Sequence, residues 1–284
     1  MTVGKLTFKK SIGDSITGRV CDFLASATGL SKSRVKDAMN KGAVWVGNEK
    51  GSLRRLRKAT AMLHTSLRIE FHYDEKLLAL KPPQARLLED RKDFSVWHKP
   101  VGLMAQGTMH GDHCSLLRQV ELLFGNKREF FLVHRLDREA EGLMLVAHTR
   151  KAAAELSEIF RKNLIVKKYR VEVNGNLAGR SGKGTIDLPL DGKTALTEYE
   201  VESYDPLKKT TMADITIKTG RLHQIRRHLD MIGFPVIGDP KYGKGNKNSE
   251  GMQLVAYSLK FRCPIRKTDV EYNISTPQSG KDGC

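Results

Sequence analysis

Apolar residues first recur at helical spacing in SITGRVCDFLASAT (residues 15–28), which puts Val20, Phe23, Leu24 and Ala27 on one face. Gly29 supplies a stop, and Ser31 can cap a second helix, KSRVKDAMN, closed by Gly42. The next stretch, AVWVGNEKG, predicts a short strand and a turn. Residues 76–93, with a Pro-Pro pair and many charges, predict a linker. Beyond it, FSVWHKPVGLMAQG predicts a strand and a Pro/Gly turn, and CSLLRQVELLFG a helix. Two apolar runs follow, Phe130–Val133 and Leu143–His148, and then an amphipathic helix over Lys151–Asn163 with Ala154, Leu156, Ile159 and Phe160 inward. Alternating segments KKYRVEVNG, GTIDLPL, TALTEYEVESY and TTMADITIKTG predict strands. RLHQIRRHLDMIG predicts a helix ended by Gly233, MQLVAYSLKFR a last strand, and the polar end a frayed tail. Strands come in runs with helices interspersed, so the fold class is α+β, without internal repeats or low-complexity tracts.

Charge narrows the function. The 284 residues carry a formal net charge of +17. The first 92 hold 19 Lys+Arg against 9 Asp+Glu, more than half of that excess in a third of the length. A field of this sign concentrates polyanions and points to nucleic acid. No apolar run approaches a membrane span, and the opening MTVGKLTFKKSIGDS lacks the apolar core of a secretory signal, so the expected location is the cytoplasm. Cys21, Cys114, Cys263 and Cys284 form no CxxC pair, and the cluster His110-Gly-Asp-His113-Cys114 is read as a polar loop, so neither metal nor disulfide framework is expected. With no GxGxxG fingerprint and no P-loop, no cofactor is expected either.

Against this basic background, FLVHRLDREAEGLMLVAHT places Asp137, Glu139 and Glu141 between the two apolar runs, with Arg135 and Arg138 beside the first acid and Gly142 suited to the return. A carboxylate carried on rigid strands can act as nucleophile or base, and an opposite charge within hydrogen-bonding reach, by lowering its pKa, should hold it ionised. A turn acid flanked by arginines is also a common surface ion pair, and spacing alone does not separate the two.

Wider comparison of motifs does. His134-Arg135-Leu136-Asp137, followed by Gly142, resembles the signature of the RluA family of RNA pseudouridine synthases. Four more blocks match that family in order: Lys99-Pro100-x-Gly102-Leu103; Lys168-Tyr169; Thr219-Gly220-Arg221-x-His223-Gln224-Ile225-Arg226-x-His228; and Gly233-x-Pro235-Val236-x-Gly238-Asp239-x-x-Tyr242-Gly243. Together they span about residues 94–262. Residues 8–75, through Arg19-Val20-x-Asp22-Phe23-Leu24, Ser31-Lys32-Ser33-Arg34-Val35 and Lys41-Gly42-x-Val44-x-Val46-Gly47-Asn48, resemble an S4-type RNA-binding domain.

The resemblances imply a small N-terminal α/β S4-like domain (1–75), a linker (76–93) and a catalytic domain (94–284) built on a mixed, largely antiparallel sheet. They imply that Asp137 is the catalytic aspartate, as nucleophile or as base, that Arg226 pairs with it, and that Tyr169 stacks on the target base. They imply RNA contacts or bracing for Arg135, Arg221 and His223, and RNA contacts for Arg19, Lys32, Arg34 and Lys41. Leu254 is a candidate pocket wall, or else an ordinary core leucine. The expected partner is RNA, with large-subunit ribosomal RNA favoured over transfer RNA, and the expected state is a monomer. Ala140-Glu141 departs from the family's usual Thr-Ser, and Val255 stands where a histidine is common. Two rival readings remain at this point: an RNA-binding factor without catalysis, and a glycosidase using Asp137 and Glu141 as a carboxylate pair.

Overall fold

The computed structural model describes residues 4–13, 17–48, 51–125, 128–246 and 248–276. The expected turn residues Glu49 and Lys50, Cys284 and the polar end from 277 lie outside them. The chain divides into two compact units, one of residues 1–82 and 106–122, the other of 83–105 and 123–284.

The first unit is an antiparallel sheet of β1 (Lys5–Ser11), β2 (Val44–Asn48), β3 (Arg54–Arg55) and β4 (Leu67–Asp74), in the order β1-β4-β2-β3. Helices α1 (Val20–Thr28) and α2 (Lys32–Asn40) add to it, with a helical turn α3 (Glu75–Leu78) after β4. Val20, Leu24, Val35, Met39, Val44, Val46, Ile69 and Phe71 share one apolar core. The expected signals work as capping chemistry: Gly29 ends α1 in the left-handed region, and the Ser31 hydroxyl accepts a hydrogen bond from Arg34 N–H at 3.3 Å. Ala27 is exposed, contrary to expectation, because the buried stripe follows Cys21 and Leu24 towards Thr28. Strand β4 is buried on both faces. Residues 106–113 supply the second cover: His110 packs edge-on against His72, Met109 C=O accepts from Trp45 Nε1 at 2.9 Å, and Asp112 pairs with Arg55 and Arg57. The stretch read as a polar loop, and placed by sequence in the catalytic domain, is thus part of the first unit.

The second unit is built on ten strands: β5 (Arg86–Asp90), β6 (Phe94–Lys99), β7 (Phe131–Leu132), β8 (Glu141–Ala147), β9 (Val166–Asn174), β10 (Lys183–Asp187), β11 (Leu196–Asp205), β12 (Thr210–Ile217), β13 (Leu254–Arg262) and β14 (Asp269–Asn273). Eight run in the order β10-β11-β12-β9-β13-β8-β6-β5, with β14 beside β13 and β7 beside β8. Every pairing is antiparallel except β8 with β13. Helix α4 (Leu116–Phe124) leads into this unit, which carries α5 (Arg150–Arg161), the short α6 (Leu177–Arg180) and α7 (Gln224–Met231). One apolar cluster joins β6 and β8 to Ala152, Leu156 and Ile159 of α5; another joins β9 and β12 to Leu177 of α6 and Ile225 and Leu229 of α7. Among the described residues no helix is long and apolar enough to cross a membrane.

Three expectations are corrected here. Residues 76–93 are not a plain linker, because Arg86–Asp90 pairs with β6 as a sheet edge. The polar end contributes β14, which pairs antiparallel with Ser258–Arg262 of β13. Ala154 faces solvent, since burial at Ala152, Leu156 and Ile159 puts position 154 on the far side of α5.

Gly142 serves another purpose than a tight return. It lies inside β8, between Lys99 of β6 and Ala256 of β13, with φ 128°. A β-carbon there would sit 2.2 Å from the Ala256 carbonyl oxygen. Only glycine lets the parallel strand approach. Gly142→Ala is therefore expected to cost about 3 kcal/mol or more of stability, read from chemical denaturation. A midpoint equal to wild type would refute this account of the β8–β13 contact.

Candidate active site

The loop from Val133 to Ala140 hangs between β7 and β8 and is fixed at both ends. At its entry, Nε2 of His134 accepts the Leu145 N–H at 2.9 Å, and the ring stacks on Phe160 with centroids 4.3 Å apart. Burial pushes this imidazole down to about 3, helped by Lys167, so His134 is neutral and structural. At its exit, the Ala140 carbonyl accepts from the ammonium of Lys99 at 2.6 Å. Lys99 is fully buried and also donates to Leu103 C=O at 2.8 Å and Pro100 C=O at 3.1 Å. All three ammonium protons thus have acceptors. Burial lowers its pKa to about 8, against the opposing pull of Asp137, Glu139 and Glu141. Arg138 C=O accepts from Gly102 N–H at 2.8 Å, so the Lys-Pro-x-Gly-Leu turn is stapled along the acidic loop.

Asp137 sits in the middle of this loop, with its side chain about a quarter exposed (24%). Its Oδ2 accepts from Nη1 of Arg226 at 2.8 Å. Arg226 projects from α7 and is 2% exposed. Its other edge is gripped by Asp239, with Nε to Oδ2 at 2.7 Å and Nη2 to Oδ1 at 2.8 Å. Asp239 is itself buried and accepts from the Lys241 and Tyr242 N–H groups. Burial alone would discharge both partners. The two carboxylates outweigh it and hold the guanidinium above its ordinary range, while Arg226 and the backbone donors hold the Asp239 carboxyl below its own. Glu139 adds a longer contact, 3.6 Å from Arg226 Nη1.

His223 comes from the turn that opens α7, with Nε2 3.8 Å from Oδ1 of Asp137 and Nδ1 3.1 Å from the Tyr242 hydroxyl. Tyr169, on β9, is partly buried against the α7 core cluster. Burial, reinforced by the charge of Asp137, raises its phenol above the ordinary range, so it is a neutral ring close to the acid. Leu254 is buried in the cluster that Tyr169 packs on.

The structure therefore gathers Asp137, Arg226, Tyr169 and His223. Arg135 is exposed two residues before Asp137. Arg221 braces the start of α7, with Nε donating to Thr194 C=O at 3.0 Å. The remaining candidates belong to the first unit, where three have carboxylate partners: Lys32 with Asp22, Arg34 with Glu75, and Lys41 with Asp37. Lys41 also donates to Leu78 C=O at 2.7 Å, a structural use. Arg19 caps α1 through its backbone. Sequence reasoning quoted Asp239, Lys99 and His134 inside motifs without seeing what they do. For Asp239 the available signal was one acid just past the helix that carries Arg226.

A protein-family model described as RNA pseudouridylate synthase matches residues 93–231. An RNA pseudouridine synthase of Aquifex aeolicus is 30% identical over 93% of this chain and 92% of its own length. The chain belongs to the RNA pseudouridine synthase family. A relative in Rickettsia felis, named ribosomal large subunit pseudouridine synthase C, is 29% identical to this synthase over 75% of the chain and 77% of its own length. The human RNA pseudouridylate synthase domain containing 1 shares the fold, with a TM-score of 0.59 at 22% identity, over 70% of this chain and 87% of that one. The matched residues run through the α+β sheet unit that carries Asp137.

The buried imidazole of His134 makes a pH prediction. Its folded pKa, about 3, lies below the ordinary 6.5. The unfolded chain thus binds one more proton than the folded one between these values. Stability should rise with pH across that window, by up to about 1.4 kcal/mol per unit from this group. His134→Gln, which keeps an acceptor but cannot titrate, should flatten the slope of unfolding free energy between pH 4 and 6. An unchanged slope would show that His134 is not the group responsible.

Proposed function

We propose that this synthase isomerises specific uridines of large-subunit ribosomal RNA, with Asp137 as the catalytic carboxylate, working in the cytoplasm as a monomer. The observation that carries the reading is the Asp137–Arg226–Asp239 arrangement. One carboxylate is partly exposed with a free oxygen, its other oxygen is tied to a buried arginine, and that arginine is locked from behind. An acid so fixed is preorganised for attack on a nucleoside. The choice of RNA is supported by the names of relatives such as the Rickettsia felis enzyme, and by the strong positive charge. A complete acid–arginine–acid set within one chain supports the monomer.

In the proposed reaction Asp137 acts on the ribose of a flipped-out uridine. The N1–C1′ bond breaks, the uracil turns, a C5–C1′ bond forms, the C5 proton is lost and N1 ends protonated. The product is an isomer of the substrate, so no oxidant, reductant or second substrate is consumed. Tyr169 offers a face for the detached base to stack on, an interaction worth about 1–3 kcal/mol. Flipping costs a few kcal/mol, which backbone contacts from a basic surface offset. Arg135, two residues from the acid and exposed, is proposed as one such contact, and Arg221 as a brace.

Asp137→Asn tests the role. It keeps the shape and can still accept from Arg226, but loses the charge. RNA affinity is expected to stay within about threefold of wild type while turnover falls by at least about 10³-fold, in line with removal of a reacting group. Substantial pseudouridine formation by this variant would remove Asp137 from the chemistry.

A further inference from the structure

Asp137 spends only one of its oxygens on Arg226. Oδ2 accepts at 2.8 Å, whereas Oδ1 faces Nε2 of His223 at 3.8 Å, beyond hydrogen-bonding reach. Oδ1 is thus the oxygen left for the nucleoside, and the imidazole nitrogen stands beside it. His223 is held there with some force. Its Nδ1 meets the Tyr242 hydroxyl at 3.1 Å, and its ring lies edge-on to Tyr242 at 5.7 Å. Its backbone is in the left-handed region, φ 51° and ψ 33°, a conformation unfavourable for a residue with a β-carbon. Gln224 sustains it by accepting from Thr219 Oγ1 and Arg221 N–H and donating to Leu196 C=O. A side chain fixed in this way beside the open oxygen of Asp137 has a use beyond closing a turn.

The chemistry supplies the use. Addition of Oδ1 to C1′, with N1 leaving from the other side, brings Oδ1 to the edge of the ribose on the face opposite the base. The 2′-hydroxyl is on that edge, bonded to C2′ itself. We propose that His223 hydrogen-bonds the 2′-hydroxyl of the target nucleotide, which makes it the residue by which the synthase separates RNA from DNA. The inference rests on the reading of Asp137 as the group that attacks the nucleoside. A hydroxyl both donates and accepts, so it pairs with Nε2 in either tautomer that the Tyr242 contact selects. Burial holds the imidazole below its ordinary range, so it meets the hydroxyl as a neutral ring. Tyr242, which Arg226 also approaches at 5.2 Å, keeps the imidazole in register with the acid.

The test compares fragments of large-subunit ribosomal RNA that carry, at the uridine left unmodified when the protein is deleted, either uridine or 2′-deoxyuridine. Single-turnover rates are measured for wild type and for His223→Gly, a substitution that the left-handed backbone favours and that should fold. Wild type is expected to lose at least tenfold on the deoxy fragment, and His223→Gly to convert the two fragments within threefold of each other. A wild type indifferent to the hydroxyl, or a variant that keeps the full deoxy penalty, overturns the proposal. If His223→Gly is too slow to time, the same pair of fragments is compared by binding to Asp137→Asn protein with and without His223→Gly. A ribose preference that survives loss of His223 again overturns it. Failure of wild type to modify the uridine fragment at all would instead refute the proposed substrate.

Discussion

The second unit depends on one buried guanidinium shared between two carboxylates. Arg226 is too deeply buried to stay charged without partners, and a single carboxylate would leave half of its planar fork unmet. Asp239 takes the Nε–Nη2 edge in two parallel bonds, and the remaining nitrogen has one direction in which to point, towards Asp137. Geometry at the exposed acid is thereby inherited from an acid that solvent never reaches. Asp239 is in turn held by two backbone N–H groups, so the chain of constraint ends in the main chain.

The loop carrying Asp137 is constrained as firmly from the opposite side. A fully buried lysine ties three carbonyls together, a neutral histidine fills the backbone gap at the entry, and Gly142 allows β13 to run parallel to β8 without a side chain between them. None of these groups touches a reacting atom in the proposed mechanism. Their shared effect is that Asp137 has few ways to move, which is what preorganised chemistry requires.

Much of this was legible in the chain. Periodicity located most strands and helices of the second unit, and the motif around Asp137 and the helix of Arg226 gave the central ion pair. What periodicity missed has identifiable causes. Arg86–Asp90 is a charged edge strand, whose polar composition reads as linker while its backbone pairs with β6. β14 is hidden in the same way in a polar tail. The membership of residues 106–122 in the first unit depends on ion pairs from Asp112 to Arg55 and Arg57, contacts distant in sequence that no local pattern announces. Asp239 and Lys99 were visible as letters in motifs, but their roles arise only when the sheet brings three segments together. Lys32, Arg34 and Lys41 show the reverse: basic residues that look free in sequence have acids as partners once folded.

The most direct test of the account is a carbodiimide map of pseudouridine in ribosomal and transfer RNA from cells that lack this protein, compared with cells in which the wild-type chain or Asp137→Asn is restored. One or a few positions in large-subunit ribosomal RNA should lose the adduct on deletion, regain it with wild type and fail to regain it with Asp137→Asn. An unchanged map, or recovery of the lost positions by the asparagine variant, would contradict the claim that Asp137, held by Arg226, performs the isomerisation.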